Sequence, residues 1–568
     1  MVKNTKKWQK RLILAIVVLN LAVILVVWYQ VRTHVSPPEI SSAIQTNQKV
    51  TNPEKDFFYC ENSWFKKSNS GLWELYIEGD PFKRGVIEGK LTKNLIEKQE
   101  KAFIDRLREM IPSSFYQHFL KYFIYWFNRD LGKYISDENK LQIYGISLSA
   151  SDKFSFMGSK YQRMLNYHSA HDIGHALVNM GIVGCSSFGV WNGKSKTGGL
   201  LIGRNFDFYM GDEFAENKII CFEKPDKGIP FMIVTWGGMI GAVSGMNEKG
   251  LTVTINAAKS DLPFSARTPI SLLAREILQY AGNIREAYTI AQSRETFVSE
   301  SILIGSAEDN KAVIFEKSPH KMVKVESPTD YIICTNHFQS GNAQSDPAIV
   351  KDMNENASSY RYRKVLQDLI SEGPMDVNSV VRILRDRSGL NCEKLGAGNE
   401  KAINQLIAHH AIIFEPSTCR VWISTSPWQV GAFVCYDICK IFHNFAGLQK
   451  KIEIQEMDQN LASDPFLFST DFKRFLRFKQ MRMKLIESLK SVNKISTTDS
   501  FIQEFIETNP DFFEVFELAG DHYRQENLLE KSSFFYRQAL QKIIPRQKEK
   551  ERIIKKLAGC LVQMKNQD

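Results

Sequence analysis

Apolar residues run uninterrupted by charge from Leu12 to Trp28, recur later at helical and then strand spacing, and return to helical spacing toward the carboxyl end. The first run approaches the ~20 residues that span a bilayer. Lys3, Lys6, Lys7, Lys10 and Arg11 precede it and only Arg32 follows closely, so the positive-inside rule keeps the amino terminus cytoplasmic and exports the rest. A cleaved signal peptide is the rival reading, but the run is long for one and no small-x-small site follows in "WYQVRTHVSPP". The expectation is an uncleaved single-pass anchor over 1–32, with the functional part periplasmic, extracellular or lumenal. Residues 33–63, polar and proline-bearing, read as a flexible tether.

From 64 to 184 the pattern is mainly helical. It includes "SSFYQHFLKYFIYWFNRDL", Ser113 to Leu131, so rich in rings that burial is expected ahead of a membrane-resting face or lid. From Cys185 to about residue 260 the signal changes to short β-branched or aromatic runs bounded by glycine or polar turns. In "LTVTIN", Leu251, Val253 and Ile255 share one face while Thr252, Thr254 and Asn256 share the other. "GMNEKGL" before it reads as a hairpin turn with Gly250 at positive φ. "SLLAREILQYAGNIREAYTIAQ" follows as amphipathic helix, then strands in "SILIGSAEDNKAVIFEK" and "YIICTNHF", helix in "SSYRYRKVLQDLI", and a final strand pair in "AIIFEPSTCRVWISTS". Strands in runs with grouped helices predict an α+β fold over 185–445. The remainder, 446–568, becomes helical from about residue 470. There Phe516, Ala519, Gly520, Tyr523, Ser532, Tyr536 and Ala539 sit at the spacing of one tetratricopeptide unit, with Pro545 one place late. One such unit cannot bury its face alone, so it stacks on neighbouring helices or docks on the catalytic part.

With 43% hydrophobic and 11% aromatic residues, the chain has ample material for a core. Its net charge of +10 is partly the anchor's basic flank and partly "RQKEKERIIKK"; with no zinc-finger spacing, RNA-binding aromatic motif or Walker loop, nucleic acid is not an expected partner. Nine cysteines leave at least one unpaired thiol. Cys435 and Cys439 in "CYDIC" read as packed side chains ahead of a metal or redox pair. "HDIGH" places His171 and His175 four apart, but Asp172 stands where a zinc protease needs glutamate, Gly174 weakens the helix and no third ligand suggests itself.

The chemistry that remains centres on Cys185. A nucleophilic thiol needs a base, a cation that lowers its pKa and donors for a developing oxyanion. Arg204 and Asp207, three apart in "GRNFDF", supply a candidate cation and an orienting carboxylate. "GCSSFGVWNGKSKTGGLLIGRNFDF", "GMNEKGLTVTINAA", "TNHF" and "SSYRYR" follow one another in an order that resembles the N-terminal-nucleophile hydrolases. Among them, the acyl-coenzyme A:6-aminopenicillanic acid acyltransferases and their autoproteolytic relatives are the most similar; choloylglycine hydrolases are similar too, and N-acylethanolamine acid amidase more distantly.

The resemblance spans about residues 73 to 425 and implies a four-layer αββα sandwich whose precursor cuts its own Gly184–Cys185 bond. The freed α-amine, with a pKa of about 7.7–8.0, then serves as base for the thiol. Cys185 would attack an amide or thioester carbonyl and pass the acyl group to water or an amine. By the same resemblance Asn256 and Asn336 are oxyanion or orienting donors, and Arg361 is the late arginine, with Arg363 an equally visible candidate. The pro-segment 64–184 is expected to remain as a structural subunit. No metal or organic cofactor is called for. The expected partners are a small N-acyl amide or acyl thioester, the membrane through the anchor, and a protein at the tetratricopeptide-like tail. Two alternatives stand beside this reading: a catalytically idle, membrane-tethered scaffold, and a lipid amidase or phospholipase-B-like hydrolase.

Overall fold

Aromatic and β-branched runs separated by tight turns build most of the strands in the computed structural model, which describes residues 2–40, 47–110, 113–177, 184–258, 265–340, 356–490 and 498–566. In chain order they are β1 (Thr51–Glu54), β2 (Phe57–Cys60), β3 (Ser63–Lys67), β4 (Trp73–Gly79), β5 (Ser186–Val190), β6 (Leu201–Phe206), β7 (Ile219–Pro225), β8 (Phe231–Thr235) and β9 (Ser244–Asn247). Then come β10 (Leu251–Ala257), β11 (Glu300–Ser306), β12 (Lys311–Lys317), β13 (Met322–Val325), β14 (Tyr331–Cys334), β15 (His410–Glu415), β16 (Arg420–Ser424) and β17 (Phe433–Asp437). Among the described residues they form two sheets, ordered β1-β2-β3-β4-β7-β8-β9-β10-β11-β12-β13 and β14-β5-β6-β15-β16-β17.

The sheets pack face to face. Trp64, Tyr76, Phe222, Leu303 and Ile314 of the larger sheet share one buried cluster with Ile202, Ile412, Phe414 and Val421 of the smaller. On the outer face of the larger sheet, Val253, Ile255, Ile302 and Ile304 pack under helices Ile270–Tyr280 and Ile284–Ser293. On the outer face of the smaller, Phe188, Leu201 and Ile413 pack under helices Ala357–Ser371 and Val377–Leu384. The architecture is α+β, two sheets flanked by helices. The alternation of "LTVTIN" has a direct consequence here: Leu251, Val253 and Ile255 lie in the helix-side core, while Asn256 Oδ1 accepts a hydrogen bond from Ser187 of the opposite sheet at 3.0 Å. Gly250 closes the β9–β10 hairpin at φ +74°, where a Cβ would meet Ala307 and the Pro416 carbonyl at 2.7 Å.

Several segments differ from the sequence pattern. Strands begin at Thr51, inside the stretch expected as tether, and β1 to β4 belong to the larger sheet. β4 pairs in parallel with β7 from Trp73↔Ile219 to Gly79↔Pro225, a long-range match that local pattern does not announce. Helix starts only at Pro81, where the Asp80 side chain accepts from Lys83 N. The amphipathic stretch after residue 270 is two helices, because Ala281 is extended and Asn283 caps a second start. β17 follows the expected final strand pair.

Helix Val2–Thr33 carries the apolar window Trp8–Thr33, long and apolar enough to cross a membrane. It touches helix Ser114–Phe127 through a Trp28–Trp126 ring contact at 5.4 Å and a Tyr29 hydroxyl that donates to Tyr122 O at 2.6 Å. The rings of that second helix divide, contrary to the expected burial: Phe127 is buried, but Tyr116, Phe119 and Tyr122 are more than half exposed. Cys439 is disulfide-bonded to Cys419, not paired with Cys435, which is a free buried thiol under the smaller sheet. The side chains of His171 and His175 lie outside the described residues.

The tail is helical over Thr470–Lys490, Asp499–Thr508, Phe513–Gln525, Leu529–Leu540 and Gln547–Lys565. Its helices share one core with Leu406, Ala408, Trp428 and Val430 of the sheet-bearing part. Polar ties reinforce that junction. Asn509 brackets Ala397 through both main-chain groups, at 3.0 and 2.8 Å, and Arg546 grips Glu400 with two bonds of 2.7 and 2.6 Å.

Candidate active site

Cys185 stands immediately before β5, and its surroundings follow from the β5–β6 pairing. Ser186 faces Asn205 and Ser187 faces Arg204 in register. The same ladder continues outward: Gly184 N donates to Asp207 O at 3.1 Å, which fixes the Gly184–Cys185 peptide beside the end of β6. The Gly184 carbonyl accepts from Gln405 Nε2 at 2.7 Å, and that nitrogen also lies 3.2 Å from Asp207 Oδ2. A Cβ at 184 would come within 2.4 Å of the Gln405 amide, so a larger residue would push Gln405 off the carbonyl.

Arg204 reaches from the smaller sheet to the larger. Its Nη1 donates to Val243 O at 2.8 Å and to Ser244 Oγ, and its Nη2 donates to Ile255 O and lies 3.8 Å from Cys185 Sγ. Cys185, Arg204 and Asp207 are all buried. Burial pushes the Cys185 thiol up to about 11; Arg204 opposes this, while Asp207 and Glu300 add to it. Burial likewise raises Asp207 to about 7 against the pull of Arg361 and Arg204. The thiol is therefore protonated at neutral pH, next to the cation that would stabilise its anion.

Arg361 lies on the same side as Asp207. Its Nε donates to Ser186 Oγ at 3.2 Å, Nη1 to Glu400 O at 2.7 Å and Nη2 to Asn336 Oδ1 at 2.7 Å. Asn336 Nδ2 in turn donates to Ala257 O at 2.9 Å, and Asn256 Nδ2 to Cys334 O at 3.0 Å. Arg361, not Arg363, reaches into this group; the Arg363 guanidinium lies over the Tyr360 ring. Cys185, Arg204, Asp207 and Arg361 thus gather around the Gly184–Cys185 bond. Asn336 joins through Arg361, and Asn256 through Ser187, the second residue after the thiol.

Sequence reasoning missed Gln405, Ser244 and Glu300. Gln405 sits in "NEKAINQLIAHHAI", where nothing local marks it. Glu300, at the start of β11, is buried with neither carboxylate oxygen partnered among the described residues; burial, with the Asp172 charge, raises it well above the usual carboxylate range. A cleft of about 880 Å³ lined by Phe65, Trp73, Leu95, Lys98 and Phe156 holds none of the site residues.

The site thus sets a thiol beside a guanidinium, next to a glycyl peptide held by Asp207 and Gln405. Over residues 191–426 the sequence matches the family profile of acyl-coenzyme A:6-aminopenicillanic acid acyl-transferase, beginning six residues after Cys185. That match covers less than half of the chain and likens it to a family of acyltransferases. An uncharacterized protein of Archaeoglobus fulgidus is 22% identical over 404 residues, 63% of this chain and 65% of that protein. Protein dcd1B of Dictyostelium discoideum is 23% identical over 259 residues, 43% of this chain and 50% of its own length. This chain thus spans about two thirds and one half of these relatives. Solved structures similar to parts of it include a Caenorhabditis elegans ortholog of N-acylethanolamine-hydrolyzing acid amidase, at 16% identity and TM-score 0.30 over 41% of this chain and 93% of that one. A mutant conjugated bile acid hydrolase of Clostridium perfringens is 11% identical at TM-score 0.28 over 43% and 89% of the two chains.

Proposed function

We propose that the chain is the precursor of a cysteine amidohydrolase or acyltransferase that matures by cutting itself between Gly184 and Cys185. The arrangement that carries this reading is the scissile carbonyl held by Gln405 Nε2 at 2.7 Å while Arg204 Nη2 lies 3.8 Å from Cys185 Sγ. In the cut, Sγ attacks the Gly184 carbonyl carbon as its proton leaves the sulfur, and Gln405 donates to the oxyanion. The C–N bond breaks as the Cys185 nitrogen is protonated, leaving a thioester and a free α-amine. Water then hydrolyses the thioester to a Gly184 carboxylate and the thiol.

The matured residue carries its own base. The α-amine takes the thiol proton, Arg204 stabilises the thiolate, and Sγ forms an acyl-enzyme with an amide or thioester substrate. Asp207 and Arg361 orient the new terminus, and Asn256 and Asn336 act as orienting donors. The seven-pair β4–β7 ladder supports retention of the amino-terminal segment after the cut, because the strands before residue 80 are part of the same sheet as β7 to β13.

The apolar helix and its basic flank support a membrane anchor with the catalytic part exported, and the Cys419–Cys439 bridge suits an oxidising compartment. The tail's single tetratricopeptide-like pair, Phe513–Gln525 and Leu529–Leu540, serves in this reading to brace the catalytic part. A lipid-like acyl donor is a second reading of the substrate, favoured by the exposed Tyr116, Phe119 and Tyr122 beside the anchor.

The test is intact mass and amino-terminal sequencing of wild type and Cys185→Ala. A wild type split at Gly184–Cys185 beside an uncut variant is the expected result. A wild type that stays whole, with an unmodified Cys185, overturns the self-processing mechanism.

A further inference from the structure

Lys218 Nζ and His409 Nε2, both fully buried near the candidate site, have no hydrogen-bond partner among the described residues. They share one corner of the fold. Ile219 pairs with Thr235, so one further step of that register puts Lys218 opposite Trp236. The Trp236 ring lies 5.5 Å from His409, and Phe214 closes the corner at 5.1 Å from Trp236 and 4.8 Å from His409. Of the charges that act on His409, Lys218 is the strongest.

Hydrogen-bond direction from the thiol fixes what His409 presents. Arg204 Nη1 can only donate, so Ser244 Oγ accepts from it. Ser244 Oγ also lies 2.8 Å from His410 Nε2, and its own proton has no other acceptor among its bonds, so the hydroxyl donates to that ring nitrogen. Burial holds both histidines neutral, so His410 carries its proton on Nδ1 and donates it to His409 Nδ1 at 2.9 Å. His409 is left with its proton on Nε2, the unpartnered atom. An N–H donor and an ammonium group therefore stand in one aromatic corner with no acceptor among the described residues. The ammonium is weakened by burial to about 8 but is still mostly charged at pH 7. Burying such groups unpaired costs stability unless an acceptor enters.

The geometry points to a subsite in which Lys218 and His409 bind an anionic oxygen of the substrate, which makes the acyl donor a carboxylate-bearing amide or thioester. This inference rests on the hydrolase reading above and names its substrate class. The relay from Cys185 through Arg204, Ser244 and His410 joins the subsite to the nucleophile by hydrogen bonds.

The test uses the purified full chain in detergent and two matched probe pairs. N-lauroylglycine against N-lauroylglycinamide places the charge on the amine side; glutaryl p-nitroanilide against its terminal carboxamide places it on the acyl side. Wild type should favour the carboxylate of at least one pair by roughly tenfold or more in kcat/KM, the strength of a charge-assisted hydrogen bond. In Lys218→Met and His409→Phe that ratio should collapse to below about threefold. Thermal unfolding of the same proteins with each probe reads the preference without turnover: the carboxylate should raise the wild-type midpoint more than the carboxamide, and Lys218→Met should lose the difference. Equal treatment of both members of both pairs by wild type, in turnover and in unfolding, overturns the inference, as does a preference that survives Lys218→Met. Intact mass on the same samples reports the Gly184–Cys185 cut separately. An uncut chain that still discriminates by charge therefore sinks the self-processing mechanism and leaves the subsite standing.

Discussion

Two groups of charges are buried to the same depth and treated in opposite ways. Under helix Ile270–Tyr280, Arg84 and Arg275 converge on Glu223: Arg84 Nε at 3.0 Å from Oε1, Arg275 Nη1 at 2.8 Å from Oε2. Gln142 and Glu138 take further donors at 2.9 and 3.0 Å. Although burial acts to raise it, Arg275 and Arg84 hold the Glu223 carboxyl below its usual range. Around Cys185 the burial is equal but the pairing is incomplete: Arg204 and Arg361 are bonded, while Lys218, Glu300 and one oxygen of Asp207 stand alone among the described residues. Desolvation is offset by partners in the first group and left partly uncompensated in the second. Paired charges of this kind hold a fold together, whereas uncompensated ones mark a place where something else is meant to bind or react.

The sharpest way to break that contrast is to remove one partner from the paired group. Arg275→Met should destabilise the chain by about 3–5 kcal/mol in denaturant unfolding, the usual cost of orphaning a buried charge. A loss below about 1 kcal/mol would show that the two groups do not differ in kind. Next in size is Gln405→Ala, which should slow the appearance of the 185–568 fragment by ~10²–10³, the effect of losing one oxyanion donor. A normal rate by intact mass would remove Gln405 from the self-cleavage mechanism.

Lys218→Met should act in the other direction and raise stability by up to ~3 kcal/mol at pH 7, since the buried cation has no partner. Burial lowers Lys218 from 10.5 to about 8, so the unfolded state binds the extra proton between those values and wild-type stability rises with pH across that window. The penalty is fully present below about 8 and gone above 10.5, so the advantage of the variant should shrink over the same range. Equal melting curves for the two proteins at pH 7 and pH 10 would mean that Lys218 has a partner in solution.

Local pattern made a good part of this legible. Alternation in "LTVTIN" put Asn256 on the inter-sheet face, turn chemistry placed Gly250, and the small residues around Cys185 marked a strand start. The parallel β4–β7 ladder escaped because its two strands lie more than 130 residues apart and each alone reads as an ambiguous apolar run. Gln405 and Lys218 escaped for a different reason. A glutamine in a loop and a lysine ahead of a strand are by default solvated, and only tertiary packing turns one onto a carbonyl and buries the other.

The junction between tail and sheets also sets a schedule. Gln405 stands in the segment that Asn509 and Arg546 clamp at Ala397 and Glu400, and Glu400 O in turn receives Arg361. A growing chain has Cys185 and Arg204 in place long before residue 546 is made. On the proposed mechanism, the donor that activates the scissile carbonyl is seated only after the tail through residue 546 has been made, so maturation doubles as a check that the tail has docked on the sheets.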